Sequence, residues 1–234
     1  MPGPVALVGS GEYLAVMAEL EAALIAGRPS RYVQLATAAG MEGPGSIDRW
    51  TALGAAQAAR LGVEAVPVKA LDRESAEDAA NAEQVRGAGL IYLSGGNPSY
   101  LADTLRETLV WAAIVEEWLK GAALAGCSAG AMALTGWVPN IRRPEAEPRA
   151  GLGTVPKLWV LPHFDRLKEW APRTAEVVAA QVPAGMTLIG IDEETAIVSD
   201  GNDLSRWVVH GRQSVWVSGP DGWESFRAGA EVRV

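Results

Sequence analysis

Ala122-Ala123-Leu124-Ala125-Gly126-Cys127-Ser128-Ala129-Gly130-Ala131-Met132-Ala133-Leu134 changes character twice within thirteen residues. It opens as a short apolar run, which suits a buried strand. It closes rich in Ala, Met and Leu, which favour a helix. Between the two lies Gly126-Cys127-Ser128-Ala129-Gly130, a G-x-S-x-G pattern. A strand, a sharp turn and a helix in that order hold the central serine on a strained bend with its hydroxyl projecting. The flanking glycines let strand and helix approach without a Cβ between them. The Ala129 N–H, at the helix start, is then placed to meet a developing oxyanion. A strand-to-helix turn without chemistry would share this pattern, so the surrounding residues have to decide.

Outward from this stretch, strands and helices alternate. Pro4–Val8, Arg31–Ala36, Val63–Val68 and Gly89–Leu93 read as strands, with helices over about 13–26, 47–61, 75–86 and 99–120. Ser75 is the expected N-cap of the third helix, and the fourth is expected to break near Glu107. Alternation of this kind implies crossover units and a parallel sheet. The expected fold class is a three-layer α/β/α domain spanning 1–234, with a mostly parallel central sheet and an antiparallel hairpin near the C-terminus. Ligands gather at the C-terminal strand ends of such sheets. Gly9, Thr37, Gly95 and Ser128 all fall just beyond expected strand ends. Gly9-Ser10-Gly11 is not a dinucleotide fingerprint, because the third glycine would fall at Leu14; it reads as a turn that brings backbone close to the site.

After Leu134 the pattern loosens. Residues 138–153 carry three prolines, three arginines and two glutamates and read as a long loop. Leu158–Leu161 is a strand running into Pro162-His163-Phe164-Asp165-Arg166, then a polar loop and a helix over 173–181. Thr187–Ile191 is a strand into Asp192-Glu193-Glu194, with Thr195–Val198 expected to pair behind it. Arg206–His210 and Ser214–Val217 flank Gly211-Arg212-Gln213 as the expected hairpin.

Bulk properties narrow the function. The 234 residues are 49% hydrophobic and 21% charged, with a net charge of −8. No Lys/Arg cluster offers a phosphate track, so a nucleic-acid partner is not expected. No apolar run approaches the ~20 residues of a membrane span. The N-terminus lacks the basic and apolar regions of a signal peptide. With a single cysteine, Cys127, there is no internal disulfide, which fits a reducing, cytoplasmic setting. No cofactor or metal is expected. The many tryptophans and the edge strands leave room for a homodimer.

A serine at neutral pH needs a base within hydrogen-bond reach. Of the two histidines, His163 follows a strand and falls at the same rim, whereas His210 sits by a hairpin turn at the sheet edge. An acid must then orient the imidazole. Asp192, Glu193 and Glu194 stand at the next strand end, and Glu145 and Glu147 in the long loop; the spacing alone leaves the acid open. Cys127 is the rival nucleophile. Centring the motif on it would require glycines at 125 and 129, and both are alanine. Cys127 is therefore expected to point into the core.

Four blocks occur together: Leu93-Ser94-Gly95-Gly96-Asn97, Gly126-Cys127-Ser128-Ala129-Gly130-Ala131, Pro162-His163-Phe164 and Gly190-Ile191-Asp192-Glu193-Glu194-Thr195-Ala196. In this order they resemble the serine peptidases typified by aspartyl dipeptidase (peptidase E) and cyanophycinase. The resemblance covers roughly 89–217. It implies a class I glutamine amidotransferase-like fold with Ser in place of Cys. It implies Ser128 as nucleophile, His163 as general base and Glu193 as third member, with Glu145 in reserve, and Gly96 and Ala129 as oxyanion donors. Gly95, Asn97 and Arg166 are the expected substrate-binding residues, with Arg142 and Arg143 as further cations for a substrate carboxylate. The implied activity is hydrolysis of short Asp-containing peptides. The alternatives are a cyanophycinase-like isopeptidase and an inactive small-ligand-binding module of the same fold. Asn97-Pro98 after the double glycine and the sparse basic residues after His163 depart from the cyanophycinase pattern and favour a small-peptide substrate.

Overall fold

A computed structural model describes residues 1–234 apart from the side chain of Lys168. The strands are β1 (Val5–Val8), β2 (Arg31–Leu35), β3 (Glu64–Val68), β4 (Leu90–Leu93), β5 (Ala123–Cys127), β6 (Trp137–Val138), β7 (Arg149–Ala150), β8 (Leu158–Pro162), β9 (Thr187–Ile191), β10 (Thr195–Ser199), β11 (Arg206–Gly211), β12 (Ser214–Gly219), β13 (Gly222–Arg227) and β14 (Glu231–Arg233). The helices are α1 (Ala18–Ile25), α2 (Pro44–Leu61), α3 (Arg73–Ala76), α4 (Ala79–Val85), α5 (Pro98–Leu105), α6 (Leu109–Leu119), α7 (Ala129–Leu134), α8 (Phe164–Trp170) and α9 (Pro172–Ala179). No helix is long and apolar enough to cross a membrane among the described residues.

The main sheet has the order β14-β11-β10-β1-β5-β4-β2-β3. Its β1, β5, β4, β2 and β3 run parallel, and β10, β11 and β14 add antiparallel strands at one side. The central parallel strands β1, β4 and β5 are continuous apolar runs, buried throughout, because both faces are covered. Alternate residues divide between two cores, as the two-residue repeat of a strand requires. Val5 and Leu7 of β1, with Ile91, Leu93 and Leu124, pack among Leu101, Val110 and Ile114 of α5 and α6. Ala6 and Val8, with Tyr32, Tyr92 and Cys127, pack against Leu20, Leu24 and Ala58 of α1 and α2. This is the expected three-layer α/β/α arrangement.

The C-terminal part departs from expectation in its pairing. β8 and β9 leave the main sheet and form a second one, of order β13-β12-β9-β8. Leu158, Val160, Ile189 and Ile191 turn back to the main core. Trp159, Leu161 and Leu188 face the other way, against Phe164, Leu167 and Val178 of α8 and α9. The chain changes sheets at Asp192–Glu194, where Glu194 has φ of 53°, so Thr195–Val198 does not pair with β9. It pairs with β1 and β11. The segments 206–211 and 214–219 likewise go to different sheets, and the hairpin is made instead by β12 and β13. The sequence pattern identified β8 to β12 but not β13 and β14, and it carried no information about which neighbour each strand would choose.

Two helix boundaries also differ. The helix expected over 75–86 is split into α3 and α4, capped by Asp72 and Asp78 and not by Ser75; the Asp72 side chain accepts the Ser75 N–H and the Ser75 hydroxyl accepts the Asp72 N–H, a reciprocal capping box. Residues 164–170, expected as loop, form α8. The break near Glu107 is present, with φ of 59° there and α6 restarting from the Thr108 cap.

Candidate active site

Ser128 occupies the bend between β5 and α7 with φ 50° and ψ −107°. A non-glycine residue rarely adopts that backbone, and it persists because the surroundings over-determine it. The two motif glycines are part of that constraint. A Cβ on Gly126 would stand 2.5 Å from the backbone of Gly130, and a Cβ on Gly130 would stand 2.2 Å from the Leu93 carbonyl oxygen. Any larger residue at either place pushes α7 away from β4 or β5 and relaxes the bend. The Ser128 N–H donates to the Val8 carbonyl at 2.9 Å, anchoring the bend to the end of β1.

His163 arrives from the second sheet. It follows β8 directly, in a left-handed conformation with φ 49° and ψ 40°. Its Nε2 lies 3.0 Å from Ser128 Oγ and its Nδ1 lies 2.8 Å from Glu193 Oε1. Glu193 follows β9, the parallel neighbour of β8, so adjacent strand ends present imidazole and carboxylate side by side. The Glu193 turn is held from several directions. Its N–H donates to Asp165 Oδ1 at 2.9 Å, and its carbonyl accepts from Thr195 Oγ1 and Gln213 Nε2. Buried Asp192, next to it, accepts the Ser214 N–H and the Trp216 indole N–H. Of the acids that spacing left open, the one on the imidazole is therefore Glu193. Glu145 is exposed in the 138–153 segment. Asp165, adjacent in sequence to the helix start, orients the Glu193 backbone instead. His210 lies on β11 opposite Ala196, level with Cys127 but three strands along the sheet from β5.

A model of peptidase family S51 matches residues 47–207, well over half of the chain. The chain belongs to that family. S51 is a serine-type peptidase family, and the G-x-S-x-G bend, His163 and Glu193 all lie within the matched span. Among solved structures, a peptidase from an acI-B1 Actinobacterium is 41% identical, with a TM-score of 0.91, over 100% of this chain and 98% of that one. A candidate peptidase E protein from Listeria monocytogenes EGD-e shares the fold at 18% identity and a TM-score of 0.67, over 91% and 100% of the two chains. No curated protein matches the sequence.

The remaining expected residues of this S51 chain separate into two groups. Gly96 and Ala129 keep backbone N–H groups that have no protein acceptor among the described residues. Gly96 is exposed, with φ of 139°, and a Cβ there would strike the Ala38 carbonyl at 2.4 Å. Only glycine lets that backbone sit so close to the 37–39 turn. Gly95, by contrast, does not offer its N–H to a ligand: it donates to Glu12 Oε1 at 2.9 Å. Asn97 caps α5, its Oδ1 accepting the Tyr100 N–H at 3.0 Å. Arg166, in the first turn of α8, has Nε 3.5 Å from Glu193 Oε2 and 3.8 Å from Asp165, and Nη1 3.6 Å from Glu169. It is thus beside Glu193, surrounded by carboxylates.

Cys127 is buried in the α1/α2 core as expected, but it is not simply an apolar filler. Its thiol donates to Glu12 Oε2 at 2.9 Å. Burial, reinforced by the Glu12 carboxylate, pushes the thiol well above its ordinary pKa. A thiol held protonated and enclosed is a poor nucleophile. Glu12 itself was not legible as a site residue. It sits in a turn after β1 with no spacing relation to the motifs, and only the folded chain brings it there.

Proposed function

We propose that this S51 protein is a peptidase that hydrolyses short Asp-containing peptides, releasing N-terminal Asp, through an acyl-enzyme on Ser128. The observation that carries the catalytic part is the continuous contact from Ser128 Oγ to His163 Nε2 and from His163 Nδ1 to Glu193. Both distances are within hydrogen-bond range, so the general base meets the geometric requirement before any question of its pKa arises.

The steps follow from this arrangement. His163 Nε2 takes the Ser128 hydroxyl proton as Oγ attacks the peptide carbonyl carbon. Glu193 holds the ring with Nδ1–H toward the carboxylate, keeping Nε2 free to accept, and stabilises the imidazolium that forms. The carbonyl oxygen becomes an oxyanion, and the Gly96 and Ala129 N–H groups donate to it; one such donor is worth about 10²–10³ in rate. As the tetrahedral intermediate collapses, the C–N bond breaks and the amine leaves with the proton from His163. Water then attacks the acyl-enzyme, giving its proton to His163, and Ser128 is released with the proton returned.

Substrate choice rests on the resemblance to the aspartyl dipeptidases and on Arg166. Its contacts to three carboxylates are long, at 3.5 to 3.8 Å, and run from Nε and Nη1, so the guanidinium fork retains donors for a substrate carboxylate. A panel of Asp-X and X-Asp dipeptides, β-Asp-Arg and Asp-free controls tests the reading. Asp-X dipeptides are expected to be cleaved at least tenfold faster than X-Asp or controls. Preferential cleavage of β-Asp-Arg assigns an isopeptidase instead, and equal rates across the panel contradict the Asp specificity.

A further inference from the structure

Glu12 joins two segments that the proposed reaction needs at a fixed distance. Its Oε1 accepts the N–H of Gly95, the residue before the oxyanion donor Gly96. Its Oε2 accepts the thiol proton of Cys127, the residue before Ser128. β4 and β5 are parallel neighbours, with Leu93 opposite Gly126, so their ends already run side by side. Beyond those ends the sheet ladder stops, and the carboxylate spans the gap with two acceptors from one rigid group. Gly95 has no room for anything else there: a Cβ would stand 2.6 Å from Glu12 Oε1 and 3.7 Å from the Ser128 Cβ.

The turn that carries Glu12 is itself fastened to the opposite side of the site. Gly9 N–H donates to the Thr195 carbonyl at 2.9 Å. A Cβ on Gly9 would stand 2.2 Å from the Asp192 carbonyl oxygen, and Gly11, at φ 88°, packs against Glu194. The turn therefore touches the corner that holds Glu193 and the two strand ends that hold Gly96 and Ser128.

Resting on the serine-peptidase reading above, we propose that Glu12 is a positioning residue that locks the Gly96 oxyanion donor to the Ser128 bend. It does not touch the reacting atoms. It works by fixing where one donor stands relative to the nucleophile, and a displacement of about 1 Å in such a site costs on the order of 100-fold in rate.

The test uses the full-length protein, the dipeptide that the wild-type enzyme cleaves fastest, and a fluorophosphonate whose phosphoryl oxygen occupies the oxyanion position as Ser128 displaces fluoride. Glu12→Ala is expected to lower kcat about 100-fold with KM within twofold, and to slow phosphonate labelling by the same factor. Glu12→Gln keeps the acceptor for Gly95 but not for the thiol, and is expected to fall between Ala and wild type, about tenfold down; it also decides the matter should the alanine variant not fold. The pH profile of kcat/KM is expected to keep its shape, because the Ser128–His163–Glu193 contacts are untouched. Cys127→Ala removes the same thiol contact as Glu12→Gln, so the double variant is expected to lose no more than the worse single one. Glu12→Gln within twofold of wild type, losses that appear in KM, or losses that add fully in the double variant overturn the proposal. A wild-type enzyme that labels at Ser128 but cleaves no Asp peptide overturns the substrate reading alone, and labelling rates then judge Glu12. A wild-type enzyme that neither labels nor cleaves overturns both.

Discussion

His163 Nε2 stands 3.0 Å from Ser128 Oγ across the junction of two separate sheets. Ser128 ends a central strand of the main sheet, and His163 ends the edge strand of the second one. Their meeting depends on the second sheet turning Val160, Ile189 and Ile191 into the main core. The Ser128–His163 contact is a consequence of how the two sheets pack.

Glu193→Gln keeps the shape of the acid but lets the side chain donate where it must accept. The ring then loses its preference for Nδ1–H, and kcat is expected to fall by about 10³–10⁴ with KM little changed. Glu145→Gln, in the exposed loop, is expected to leave kcat within twofold. Steady-state kinetics on the two variants distinguishes the acids.

Much of this site was legible before any coordinates. The glycines of the 126–130 motif demand a close strand–helix approach, and the clashes a Cβ would meet at Gly126 and Gly130 are the physical content of that demand. His163 stood out over His210 because it follows a strand, and strand ends gather at one rim. What the sequence could not disclose were the long-range pairings. Thr195–Ser199 and Arg206–Gly211 each look like strands, but nothing in them names β1 or β14 as a neighbour. α8 was hidden because its N-cap position is a left-handed histidine, not one of the usual capping residues, and Pro162-His163-Phe164-Asp165 reads as loop. Glu12 was hidden because its partners are a backbone N–H and a thiol, 83 and 115 residues away.

Gly130→Ala puts a Cβ 2.2 Å from the Leu93 carbonyl oxygen, against backbone that cannot swing aside. The variant is expected to lose about 2–4 kcal/mol of stability, as overpacking against main chain does, and to lose activity with it. Denaturant unfolding followed by tryptophan fluorescence measures the first, and peptide hydrolysis the second.

Arg166→Ala is expected to raise KM for Asp dipeptides about tenfold or more, while an Asp-free dipeptide that is cleaved slowly loses little. Arg166→Lys recovers only part, since a lysine cannot pair a carboxylate with two parallel donors. A uniform fall in kcat on every substrate would instead make Arg166 a support for Glu193.

Glu21 gives a pH dependence of stability that is separate from catalysis. Its carboxyl is 1% exposed and accepts from Tyr32 OH and Gln57 Nε2. Burial raises its pKa from 4.5 to about 7 in spite of those bonds. The folded state then holds a proton that the unfolded state has released between about pH 4.5 and 7. Its contribution is full below that window and declines as pH rises through it, by on the order of 3 kcal/mol. Glu21→Gln cannot ionise, so its stability relative to wild type is expected to rise from pH 5 to pH 8. Paired urea melts across that range measure the difference.

The most direct measurement is intact-mass analysis of the protein after treatment with a fluorophosphonate, followed by peptide mapping. The account predicts one adduct on Ser128 in the wild-type chain, none in Ser128→Ala, and labelling slowed at least 100-fold in His163→Ala, with Ser128→Ala folded and unable to hydrolyse any peptide. An adduct on another residue, or a Ser128→Ala protein that still cleaves peptides at the wild-type rate, would contradict it.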